Sequence, residues 1–257
     1  MKFLTDYEDK LTEVAKKEGL ICLDDFEVLN FDGKNALAFL ELISKTRLSL
    51  NTLGNIDLLT HDLINSISPD IKFSLANIYL YFPSANNFLK EIKHMNGQDV
   101  PTYNRTLSDR RFFYYINVAF EKLYNFWDRV GDTLAMAFKL EIPEKEIFFG
   151  GVIDKLCTLG IESEELQWLK KFKDSDYSTF LNRLRIKIVH YRQKDSYFFM
   201  EWVNSFTNTE PGNIELLVQL QKEKEELPVL LKEQFKLTNI GFEKMVKLIH
   251  FHGPYEK

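Results

Sequence analysis

Eight large apolar residues recur at every third or fourth position between Phe113 and Phe138: Phe113, Ile116, Phe120, Leu123, Trp127, Val130, Leu134 and Phe138. That spacing keeps all eight on one face of an α-helix, so it predicts a helix over about residues 108–140. A helix of that length spans roughly 50 Å at 1.5 Å per residue. Its apolar stripe needs partners along its whole length, and other helices supply them most readily. The opposite stripe carries Asn117, Glu121, Asn125, Asp128 and Asp132.

The rest of the chain reads the same way. Residues 4–18 form an amphipathic segment stopped by Gly19, and residues 35–50 place Leu37, Leu40 and Ile43 at helical spacing. A helical pattern over 71–95 is interrupted at Pro83. Pro69 and Pro143 sit where helices start, and Ser178 sits where an N-cap is expected before a helix running to about Arg192. Residues 161–176 predict a short helix and a polar turn, and Pro228 predicts a break between two last helices. Residues 96–109 concentrate turn-forming residues and read as a linker. With 22 Phe and only 11 Gly, a packed helical core fits better than a turn-rich β fold. The expectation is an all-α helical bundle over residues 101–257, with residues 1–100 as an additional N-terminal helical layer.

Net charge is −5, so a nucleic-acid partner would have to meet a local basic patch and not a global positive field. Two cysteines, Cys22 and Cys157, lie far apart, which argues against a disulfide scaffold or a zinc ribbon. No run approaches the ~18 apolar residues of a membrane span, and the early acids of the N-terminus do not suit a signal peptide. The expected location is the cytoplasm, with no membrane contact.

One stretch gathers positive charge. LNRLRIKIVHYRQK, residues 181–194, holds five basic residues and one histidine, with no acid between Asp176 and Asp195. A basic amphipathic helix is most often a solvated face, with Leu184, Ile188 and Tyr191 packed inward. Yet Arg185 and His190 flank four residues, and Arg183 and His190 flank six. Arg185-Ile-Lys-Ile-Val-His190, late in a helical chain and after a long helix, resembles the Arg-x4–6-His motif of the HEPN superfamily. The organisation is similar to the Cthe2314-like bacterial HEPN proteins with a long N-terminal extension.

The resemblance implies an RNA-cleaving HEPN bundle, commonly a dimer, that works without a metal or other cofactor. It leaves a 2′,3′-cyclic phosphate and a 5′-hydroxyl. Within it, His190 takes the acid/base role and Arg185 the phosphate role, with Arg183 an alternative for the phosphate. Lys187 and Arg192 join Arg183 as RNA contacts. Of Asn125, Asp128 and Asp132 on the polar stripe of the long helix, any of which could line the same cleft, Asp128 is the first choice to orient the histidine. RNA and a second copy of the chain are the implied partners, with an antitoxin or regulatory protein as a further one. A toxin or defence role follows only from that analogy. The chemistry suits these residue types. An imidazole with a pKa near ~6.5 moves protons at neutral pH, and a guanidinium matches the planar geometry of phosphate oxygens. Many active members follow the arginine with a polar residue, where this chain has Ile186. Two further features read as non-functional: His250 and His252 as surface histidines without a third ligand, and Lys222–Glu226 as a solvated helix face.

Overall fold

The computed structural model describes residues 2–46, 48–85, 87, 92–95, 98–101, 106–143, 147–182, 200–201 and 214–253. These residues are all-α apart from one short hairpin. The helices are α1 (Lys2–Glu18), α2 (Ala36–Ser44), α3 (Leu50–Asp62), α4 (Ser68–Tyr81), α5 (Leu107–Ala137), α6 (Phe149–Cys157), α7 (Glu164–Phe172), α8 (Ser178–Phe180) and α9 (Ile214–His252).

Local chemistry sets the helix starts. Asn35 accepts from the Ala38 N–H at 2.9 Å to open α2, and Ser163 accepts from Leu166 at 3.0 Å to open α7. Thr106 and Asp109 cap α5 reciprocally. The Asp109 N–H donates to Thr106 Oγ1 at 3.2 Å, while Asp109 Oδ2 accepts from the Thr106 N–H at 2.9 Å.

The prolines bear out their reading as punctuation only in part. Pro228 lies inside α9, which runs unbroken from Ile214 to His252. An internal proline costs about 3 kcal/mol. Leu227, Leu231 and Phe235 are buried around it, and at ~1.5–3 kcal/mol each their burial outweighs that cost. Pro69 falls in the first turn of α4, behind a π-helical turn at Leu63–Ile67 that joins α3 to α4. There the Ser68 N–H reaches back to the Leu63 carbonyl, five residues away. Helix α6 begins at Phe149 and not at Pro143. Ser178 is no cap, because a second π turn at Lys173–Tyr177 carries the helix from α7 into α8 in place of the expected polar turn.

Helix α4 ends at Tyr81, and a single 3₁₀ turn follows over Phe82–Ser84. The expected helix to residue 95 gives way to antiparallel strands β1 (Ile92–Met95) and β2 (Gln98–Pro101), with Met95 opposite Gln98. That register leaves a two-residue connection of sequence Asn-Gly, the pair that favours tight hairpin turns.

Contacts divide the chain into two units, and each draws on distant stretches. One comprises Met1–Leu20, Phe73–Phe120 and Arg183–Glu233; the other comprises Ile21–Lys72, Glu121–Asn182 and Gln234–Lys257. The second is organised around Trp127, whose ring lies 4.2 Å from Phe172 and 5.1 Å from Phe149 between centroids. Tyr177 adds to the cluster at 5.0 Å from Phe149. Two glycines permit this packing. A Cβ on Gly131 would meet the Phe149 backbone at 3.0 Å, and one on Gly241 would meet Trp127 Cη2 at 2.4 Å. Trp127 is fully buried and has no room to swing away. Gly241→Ala should therefore destabilise the protein by about 1–3 kcal/mol or more, read as a lowered urea midpoint at unchanged slope. A variant that unfolds with the wild type would show that this approach is looser than described.

Candidate functional site

Arg183, Arg185, Lys187, His190 and Arg192 lie outside the described residues, so their geometry is not described. Of the residues expected to serve the site, Asp128 is placed. It is half-buried on α5, directly after the buried Trp127. The stripe it belongs to divides by depth: Glu121 and Asn125 are exposed, whereas Asn117, Asp128 and Asp132 are half-buried.

Acidic and basic groups gather on this part of α5. Arg129 donates from a guanidinium nitrogen to Asp132 Oδ2 at 3.2 Å, one turn along the helix. Its Nε lies 3.4 Å from Asp62 Oδ2, an ion pair by distance that lacks hydrogen-bond geometry. Burial pushes the Asp132 carboxyl above its usual range, and Arg129 pulls it only part of the way back. Arg129 thus turns toward Asp62 and Asp132.

A second charged pair was not anticipated from the sequence. Lys224 Nζ lies 3.1 Å from Asp109 Oδ1, with the two side chains 1% and 0% exposed. The ammonium also sits 5.6 Å from the ring centroids of both Phe112 and Phe113. Burial drives the Lys224 pKa down, and Asp109 opposes that shift without cancelling it. The expected solvated face at Lys222–Glu226 is therefore corrected at its centre: Lys222 and Glu226 are exposed, and Lys224 is core. Two signals could have revealed the pair. Thr106-Leu-Ser-Asp109 is a capping-box pattern, and Lys224 continues the buried stripe Leu217, Leu220, Leu227, Leu231.

Of the two C-terminal histidines, His252 is exposed as expected and His250 is corrected. Both lie within α9, and His250 Nδ1 is 2.8 Å from the Leu42 carbonyl, so its ring is tied down and half-buried. Among the described residues no group of three or more His, Cys, Asp or Glu could hold a metal ion. None of the described helices is long and apolar enough to cross a membrane. An open cavity of about 670 Å³ lies against α6, lined by Ile142, Pro143, Phe148, Asp154 and Lys155 among others, and Asp128 is not part of it.

No curated protein and no solved structure matches the chain. A family model does, that of the Cthe2314-like HEPN family, over residues 60–250. The match takes in α4 and α5, the whole Arg185–His190 stretch and nearly all of α9, and it starts well before residue 101. It covers well over half of the 257 residues, and on that ground, together with the all-α architecture, the chain belongs to the Cthe2314-like HEPN family.

Proposed function

We propose that this HEPN protein is a metal-independent endoribonuclease acting as a homodimer. The observation that carries the reading is the Arg185-x4-His190 spacing inside the segment the family model covers. In the proposed reaction the RNA 2′-oxygen attacks the adjacent phosphorus and the P–O5′ bond breaks. His190 moves the proton, taking it from the 2′-hydroxyl or giving it to the departing 5′-oxygen. Arg185, or Arg183 in the longer spacing, balances the charge that grows on the phosphate oxygens. Lys187 and Arg192 hold neighbouring phosphates, and Asp128 is the carboxylate assigned to orient the imidazole. A toxin or defence role, an antitoxin partner, and the division into an accessory region over 1–100 and a bundle over 101–257 belong to the same proposal.

A second reading is favoured by Ile186, an apolar residue where many active members carry a polar one. In it the protein keeps the HEPN bundle and binds RNA, a nucleotide or a protein partner without cleaving. One experiment separates the two. Purified protein is incubated with a mixed RNA panel in excess EDTA, and the product ends are mapped. Cleavage leaving 2′,3′-cyclic phosphate and 5′-hydroxyl ends is the expected result. Intact RNA across the panel, with measurable RNA affinity, would establish the binding reading instead.

A further inference from the structure

In the unit that contains Phe73–Phe120, an aromatic cluster remains open to solvent. Phe73 on α4 is 47% exposed and Tyr114 on α5 is 62% exposed. Tyr81 and Tyr115 are half-buried between them, their rings nearly parallel at 7° with centroids 6.3 Å apart. Tyr115 meets Phe73 edge-on at 5.9 Å and Tyr114 edge-on at 5.1 Å, so the four rings are continuous. Arg111 completes the cluster. Its guanidinium lies 5.1 Å from the Tyr81 ring centroid and donates to the Tyr81 hydroxyl at 3.0 Å. Among the described residues Arg111 has no carboxylate partner.

We propose that the Phe73–Tyr81–Tyr115–Tyr114 rings with Arg111 form a stacking surface for the unpaired bases of single-stranded RNA, outside the Arg–His motif. The inference rests on the RNA-directed reading above and names a contact that reading lacks. The core of a helical protein has no need of exposed rings, whereas unstacked bases bind well to aromatic faces and guanidinium planes. Stacking also suits this chain's charge. At −5 net, the protein has little long-range attraction for RNA, and ring-on-base contact needs none. The Arg111 guanidinium adds one site for a phosphate or a base.

The test uses the full-length chain and a fluorescent 2′-O-methyl oligoadenylate of about ten nucleotides, which lacks the 2′-nucleophile and stays intact. Anisotropy gives its affinity at low and moderate salt. Tyr114→Ala and Arg111→Ala change exposed side chains, so folding should be kept, and circular dichroism verifies it. Each should weaken binding by about tenfold, and Tyr114→Phe should restore most of the loss, because the ring is kept. The salt dependence should be shallow, with a slope near about −0.7 for each phosphate neutralised. Unchanged affinity in Tyr114→Ala overturns the proposal. So does a steep salt slope with no response to either variant. A shift from dimer to monomer in Tyr114→Ala, with RNA affinity unaltered, would mark the cluster as a protein interface and overturn it too. Failure of the nuclease reading is seen separately, as intact ordinary RNA beside normal binding of the uncleavable oligomer.

Discussion

Lys224→Met should lower the unfolding free energy by roughly 3–5 kcal/mol, because it removes the cation paired with a fully buried carboxylate, that of Asp109. Asp109 would keep its bonds from Thr106, but the positive charge 3.1 Å away would be gone. Asp109→Asn should be nearly as damaging, since it removes the carboxylate 3.1 Å from a buried ammonium that lies beside Phe112 and Phe113. The double variant should recover most of the loss. Its new amide could still accept from Thr106, and its new thioether side chain would fill the space the lysine leaves. Buried pairs are costly to break and cheap to replace entirely, so the coupling between the two sites is the decisive quantity. Urea unfolding followed by tryptophan fluorescence, to which the buried Trp127 contributes, would measure it. Single variants within about 1 kcal/mol of the wild type would mean that water reaches the pair and screens its charges as it does at a surface.

His190→Ala should reduce RNA cleavage by about 10²–10⁴-fold, the usual contribution of a positioned acid or base. Arg185→Ala should fall by roughly 10²–10³-fold if its guanidinium meets the growing phosphate charge. Arg183→Ala then decides between the two spacings. If its loss exceeds that of Arg185→Ala, the six-residue spacing is the working one. Single-turnover rates in EDTA supply the comparison, with folding checked by circular dichroism. Cleavage by His190→Ala at the wild-type rate would remove the imidazole from the mechanism altogether.

How much of the fold and the site was legible in the sequence depended on the kind of signal. Helix α5 was plain, because eight large residues at helical spacing admit one conformation and the structure places it at Leu107–Ala137. Proline misled at Pro228 and Pro143, whereas Pro69 starts a helix and Pro83 ends one as expected. At Pro228 the apolar stripe on both sides outweighed one lost hydrogen bond, whereas Pro69 sits in the first turn of α4, where a missing N–H costs little. The β1–β2 hairpin was hidden because turn residues at 96–101 read as linker, although Asn-Gly is the pair a two-residue hairpin connection favours. Lys224 was missed because a lysine among glutamates looks solvated until its place on the Leu217–Leu231 stripe is counted. At the candidate site, periodicity alone could not raise Arg185 and His190 above an ordinary basic helix. The motif acquired meaning through resemblance, and the family match over residues 60–250 supports that assignment at the level of the family.

The π turn at Lys173–Tyr177 has a consequence for how this chain tolerates change in length. Such a turn holds one residue more than the α-helix around it needs, as if a single codon had been inserted. Deleting one residue from it would regularise the backbone and leave the described helical residues that follow it in phase. Phe180, now buried beside Tyr177, would keep its inward orientation. The surplus residue is thus absorbed locally, and among relatives of different length this turn is a place where a one-residue alignment gap would leave the packing on either side intact.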